Sequence, residues 1–166
     1  MDETTLNFLK IIFLFGFTLH NIEEAVWLPK WSKYAKGFHE SVTADQFIFA
    51  VIVVTIIGYV LTALEFLFGL QGNLINLIYL GFVGMMGVNT IFPHLLAAIK
   101  VRKYSPGLVT ALFLNLPFSS VIIWGYIQNG INTLALIISI LVVSGLILFS
   151  LKYLFKLGGR LINFSD

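Results

Sequence analysis

Five long apolar runs, separated by short polar breaks, make up most of this chain. Crossing a hydrocarbon core takes about 20 such residues. On that measure the first predicted span runs from Leu6 to Leu28, where Pro29 is expected to stop it. A polar loop from Lys30 to Asp45 follows, and Thr43-Ala44-Asp45-Gln46 has the form of a capping box opening a second span that continues to Gly69. Leu70-Gln71-Gly72-Asn73 reads as a tight turn. Span three is predicted from Leu74 to Ile99, span four from Gly107 to Ile127 behind Ser105-Pro106-Gly107, and span five from Ile131 to Phe155 behind Gln128-Asn129-Gly130.

Composition sharpens this into a class. A hydrophobic fraction of 58%, 11% charged residues and a mean hydropathy of +0.95 lie outside the range of soluble domains. The expected fold is all-α, a polytopic membrane helical bundle of five transmembrane helices in one domain, residues 1–166. With no cysteine, neither a disulfide framework nor a thiolate metal site is possible. The start, Met1-Asp2-Glu3, is acidic and no small-residue cleavage pattern follows, so the first run is read as a retained helix.

With five spans, nine of the ten basic residues fall on one side, and only Lys10 lies near the other. The positive-inside rule then sets the N-terminus out and the C-terminus in, in a bacterial or archaeal cytoplasmic membrane. Trp27 and Trp31 at one end, with Trp124 and Tyr126 at the other, suit interfacial aromatic belts. Gly81, Gly84 and Gly87 point to close helix packing, or alternatively to a groove for a lipid chain. No basic, aromatic-interleaved patch suggests nucleic acid.

Against this background, His20-Asn21-Ile22-Glu23-Glu24 stands out. Each charged residue inside a span costs about 2.5–3.5 kcal/mol on insertion scales. A helix gives a reason to group them, because positions i, i+3 and i+4 share a face, and His20, Glu23 and Glu24 can then point into one cavity. At 1.5 Å per residue, His20 lies about 12 Å from the cytoplasmic end of its span and the two glutamates about 6–8 Å. His94 comes out at about 8–9 Å, Asn89 at about 15 Å and Asn115 at about 12 Å. Three spans thus place polar groups in the same half, and Pro93 and Pro117 are expected to break the helix beside Asn89 and Asn115. Thr55 and Tyr59 reach intermediate depths and can line the same pocket or bond their own helix. Glu65, near the opposite end, is expected either to pair with Lys10 or, like Lys10, to snorkel to the interface, a structural role in both cases. His39 and Glu40 are expected to be solvated surface, with a lid over the cavity as the sharper alternative.

The motif, the downstream Asn89 and His94, and the chain's size together resemble the HXXEE-domain family of small integral membrane proteins. The resemblance covers essentially the whole chain in length and span pattern. It implies a site at these residues and a suspected enzymatic role, without a defined reaction.

Three chemistries suit the cluster. In the first, His20, His94 and Glu24 (or Glu23) hold one divalent metal ion, zinc or iron, leaving a fourth position for water. The remaining glutamate would act as general base in a hydrolase-like enzyme for a lipid or other amphiphilic substrate. A di-iron site would need four carboxylates and two histidines, more than this half offers. In the second, no metal is needed: one of Glu23 and Glu24 is an acid, and the other acts with His20 as base. Asn89, Asn115 and Tyr59 would bind a lipid or terpenoid undergoing isomerisation or dehydration. In the third, the cluster belongs to a non-enzymatic protein that binds or carries ions, metal or a small amphiphile. The lipid bilayer is the expected partner in all three, and the sequence leaves the oligomeric state open.

Overall fold

Four of the five apolar runs start at a polar residue that caps its own helix. Asp2 accepts from the Thr5 N–H at 2.9 Å, Asn73 from Asn76 at 2.8 Å and Asn132 from Ala135 at 2.9 Å. Thr43 and Gln46 form the expected reciprocal capping box. In the computed structural model, which describes residues 1–35, 41–69 and 72–162, these caps open α1 (Glu3–Ser32), α2 (Ala44–Phe68), α3 (Leu74–Val101) and α5 (Thr133–Leu161). The remaining helix, α4 (Leu108–Gln128), begins differently. Its N-cap is Gly107, at φ 87 in the left-handed region and with no side chain to offer the free N–H groups of the first turn.

All five helices are long and apolar enough to cross a membrane, and the described residues contain no strand. This is a membrane protein of all-helical architecture. Helix α3 is the most enclosed of the five and packs against α2, α4 and α5. Helix α5 is the most peripheral, burying only Leu136, Val143 and Gly158. Large apolar side chains such as Phe15, Phe113 and Leu141 are 65–72% exposed, as lipid-facing positions should be.

The glycine stripe on α3 serves internal packing. A Cβ at Gly81 would come within 2.5 Å of Ser139, one at Gly84 within 2.5 Å of Ile140, and one at Gly87 within 2.7 Å of Ser119. These contacts bring α5 and α4 close against α3, so the stripe faces neighbouring helices.

Both predicted proline breaks are realised as π-helical turns, Thr90–Leu95 around Pro93 and Ala111–Asn115 just before Pro117. Within the first, Phe92 leaves the helical region altogether, at φ −126 and ψ 117. Such one-turn widenings re-aim the side chains they carry.

Two expectations are corrected. Pro29 does not stop α1, which runs on to Ser32. Proline costs a helix one N–H bond and some crowding, but its φ is helical, and the Ser32 hydroxyl takes up the Pro29 carbonyl at 3.0 Å. Tyr126 is not part of an interfacial belt. It is buried and donates to Glu65 Oε1 at 2.7 Å, whereas Trp124 is 61% exposed.

The Lys10–Glu65 pair, one of the two expected arrangements, forms at 3.2 Å and is almost fully buried. The Asn76 amide also donates to Glu65 Oε1, at 3.1 Å. The Lys10 ammonium lies 5.4–5.8 Å from the ring centroids of Phe66, Tyr79 and Tyr126, adding cation–π stabilisation. Four helices thus share one polar knot. His39 and Glu40 lie outside the described residues.

Candidate functional site

The motif on α1 does not act as one unit. Successive residues of an α-helix are about 100° apart, so Glu23 and Glu24 flank the direction of His20 on opposite sides. Glu24 turns toward α3 and Glu23 toward α4.

Glu23 supplies the cap that Gly107 cannot. Its Oε1 accepts from the Gly107 N–H at 2.8 Å and from the Tyr104 hydroxyl, and its Oε2 from the Thr110 hydroxyl at 2.6 Å and the Thr110 N–H at 3.3 Å. A carboxylate at a helix N-terminus is favoured by the free N–H groups and by the helix dipole together. Tyr104 sits in the loop between α3 and α4. Burial, and the hydrogen bond it donates to Glu23, push its hydroxyl up to about 12.

His20 faces the same loop with one nitrogen and the cavity with the other. Nδ1 lies 3.0 Å from the Gly107 carbonyl and 3.2 Å from the Thr110 hydroxyl. A carbonyl can only accept, so Nδ1 carries the proton and Nε2 presents its lone pair to the cavity. Glu23, through Thr110 and Gly107, therefore fixes the orientation of His20.

His94 arrives from the π-turn of α3. Its ring stands perpendicular to that of His20, with centroids 5.0 Å apart. Glu24 lies between the two imidazoles, its Oε1 3.3 Å from His94 Nε2 and its Oε2 3.7 Å from His20 Nε2. One ligand atom from each of His20, Glu24 and His94 lies within 4.8 Å of the others. The Asn89 amide approaches both rings, 3.1 Å from His94 Nε2 and 3.4 Å from His20 Nε2. Both histidines are 1–2% exposed, whereas 16% of the Glu24 side chain is exposed.

These groups line one end of a cavity of about 330 Å³. The rest of its wall is mainly apolar: Leu28, Phe47 and Val51, with Leu148, Leu151 and Phe155 from α5. Asn21, the second residue of the motif, also lines the cavity and donates to Thr55 on α2 at 2.8 Å.

Of the residues singled out in the sequence, His20, Glu24, His94 and Asn89 come together. Glu23 lies outside this cavity, held by α4. Asn115 is fully buried beside Gly16 and is not among the cavity-lining residues; its amide has no hydrogen-bond partner among the described residues. Tyr59 is 45% exposed and shares a 3.1 Å hydrogen bond with Thr18, away from the cavity. Thr55 bonds its own helix, donating to the Val51 carbonyl at 2.7 Å, and also accepts from Asn21.

Gly107 is the residue the sequence reading missed. A Cβ there would come within 2.7 Å of the His20 ring, 2.8 Å of the His94 ring and 3.0 Å of Glu24. Its positive φ and the Ser105-Pro106-Gly107 run mark a special turn, but nothing one-dimensional shows that the turn sits on the cluster.

Residues 11–122 match the family model described as a protein of unknown function with HXXEE motif. The uncharacterized protein YrkK of Bacillus subtilis (strain 168) is 46% identical over 149 residues, which cover 89% of this chain and 94% of that protein. No solved structure matches. The chain belongs to the HXXEE family.

Proposed function

We propose that His20, Glu24 and His94 hold one divalent metal ion, zinc or iron, in a membrane-embedded, hydrolase-like enzyme acting on a lipid or other amphiphile. The observation that carries this reading is the convergence of three ligand atoms within 4.8 Å, with His20 already held in the tautomer a metal requires. In a tetrahedral site with bonds of about 2.0–2.1 Å, neighbouring ligand atoms are about 3.3–3.4 Å apart. Glu24 Oε1 lies 3.3 Å from His94 Nε2, at that edge length, and the other carboxylate oxygen lies 3.7 Å from His20 Nε2. Support for His20 from a backbone carbonyl is the usual arrangement for a metal-bound imidazole.

The metal would supply Lewis acidity and an activated water. The chain's own residues do the rest. Asn89 stands beside both Nε2 atoms, and a half-turn of its amide exchanges the donor there for a carbonyl oxygen. The apolar wall of α2 and α5 accommodates a hydrocarbon chain with its polar end at the cluster. Glu23 is a positioning residue in this scheme, not the general base expected from the sequence, because its oxygens already accept four hydrogen bonds.

A second reading is favoured by the direct 3.3 Å contact between Glu24 and His94. A carboxyl group and two imidazoles in contact can pass a proton without an ion, as acid–base isomerisation or dehydration of a lipid or terpenoid requires. Thermal unfolding separates the two. A metal centre predicts that chelation lowers the melting temperature and that added zinc or iron restores it in wild type but not in His94→Ala. A metal-free pair predicts no response in either protein.

The nine basic residues on one side support an orientation with the N-terminus outside and the C-terminus inside. The Bacillus relative supports a bacterial cytoplasmic membrane. Protease accessibility of a tag at each end in sealed vesicles tests the orientation.

A further inference from the structure

Beside the His20–Glu24–His94 cavity, on a neighbouring face of α1 and with Trp31 lining both, lies a second, open groove of about 940 Å³. Leu19, Ile22, Trp27, Lys30 and Tyr34 follow one another at steps of three to five residues, so the groove follows one side of α1 and its C-terminal extension. The other wall is the start of α4 and the loop before it, with Tyr104, Pro106 and Val109.

The groove is graded along its length. Leu19, Ile22 and Val109 make one end apolar, and all three are about half exposed, at 48–54%. Trp27, Tyr34 and Tyr104 are amphipathic rings of the kind that settle at a headgroup interface, and they are 48–73% exposed. Lys30 and Lys103 stand at the same end, the Lys103 ammonium 5.2 Å from the centroid of the Tyr34 ring. Among the described lining residues the only acid is Glu23, whose charge is already directed at the α4 N-terminus. The groove therefore offers an apolar slot, an aromatic collar and two ammonium groups without a competing carboxylate.

We propose that this groove binds one anionic phospholipid, its acyl chain against Leu19, Ile22 and Val109 and its phosphate between Lys30 and Lys103. A lipid is the occupant because the groove runs from the membrane-crossing helices α1 and α4 to the loop before α4, a span that an acyl chain and its head group match. An anionic head group is favoured because the charged groups it meets are cations. This proposal does not depend on the metal reading.

Native mass spectrometry of the detergent-solubilised chain, titrated with phosphatidylglycerol or with phosphatidylcholine, provides the test. A lysine near an anionic lipid surface contributes roughly a fivefold gain in affinity. Wild type should hold phosphatidylglycerol at least tenfold more tightly than phosphatidylcholine, and rising salt should erode the difference. Lys30→Gln/Lys103→Gln should lose roughly 25-fold for phosphatidylglycerol, at about fivefold per lysine, and nothing for phosphatidylcholine. Lys30→Arg/Lys103→Arg should retain binding, and Lys156→Gln, a charge loss at an exposed site on α5 that does not line the groove, should leave it unchanged. Equal binding of both lipids by wild type would overturn the proposal without any variant. So would an equal loss in Lys156→Gln.

Discussion

Nδ1 of His20 lies 3.0 Å from the carbonyl of Gly107, a residue 87 positions further along the chain. That contact joins the cluster on α1 and α3 to the start of α4. Because the space a Cβ on Gly107 would take is already filled by the two imidazole rings and Glu24, the geometry of one turn bears on all three candidate ligands.

Gly107→Ala should therefore damage both stability and site. A left-handed non-glycine residue costs about 1–2 kcal/mol, and overpacking a filled space about 1–3 kcal/mol more. We expect a loss of about 2–5 kcal/mol, measured by thermal or denaturant unfolding in detergent, together with loss of metal. Wild-type stability in this variant would show that the α3–α4 turn does not bear on the cluster.

The two glutamates should separate cleanly. Hydrogen bonds to a charged group contribute about 1.5–3 kcal/mol each in favourable cases. Glu23→Gln, which keeps the shape but weakens the α4 cap, should lower stability by about 1–3 kcal/mol while retaining metal at reduced affinity. Glu24→Gln should change stability little once metal is removed, yet abolish metal binding. The reverse pattern would exchange their roles.

Those roles show what the sequence could and could not reveal. The spans, the Thr43–Gln46 box and the Lys10–Glu65 pair were legible because each follows from local spacing or from depth along a helix. His20, Glu24, His94 and Asn89 were legible only within a larger set that also held Glu23 and Asn115, because costly polar groups in one half of the membrane need each other. The division between Glu23 and Glu24 was not legible, since a shared helix face leaves open which neighbour each side of that face meets. Asn115 has a suitable depth but the wrong rotation, and depth alone cannot distinguish the two. Tyr126 looked interfacial by position, whereas Glu65 draws it inward.

Tyr104 gives the α4 anchor a pH signature. Its folded pKa of about 12 stands above the ordinary tyrosine value of 10.0, so the protonated hydroxyl is the stabilised form. That contribution is complete below pH 10.0 and is lost as the pH rises through about 12. Unfolding measured across this window should show a steeper alkaline loss in wild type than in Tyr104→Phe. Parallel curves would remove Tyr104 from the anchor.

The Lys10–Glu65 knot should be structural. Removing one partner of a buried pair typically costs about 3–5 kcal/mol, because the other charge is left uncompensated. Lys10→Met is expected to lose about that much, with Lys10→Met/Glu65→Gln recovering most of it. Metal content of the folded fraction should not change. A loss of metal in Lys10→Met would connect the two polar centres.

The central claim is that two imidazoles and one carboxylate from α1 and α3 act as a single metal centre. Elemental analysis of the protein purified in detergent after growth with zinc and iron tests it most directly. The expected result is one zinc or iron per chain in wild type and less than about a tenth of that in His20→Ala, His94→Ala and Glu24→Gln, since a mononuclear site built on three protein ligands does not survive the loss of one. A wild-type chain free of stoichiometric metal, or one whose metal persists in all three variants, would contradict it.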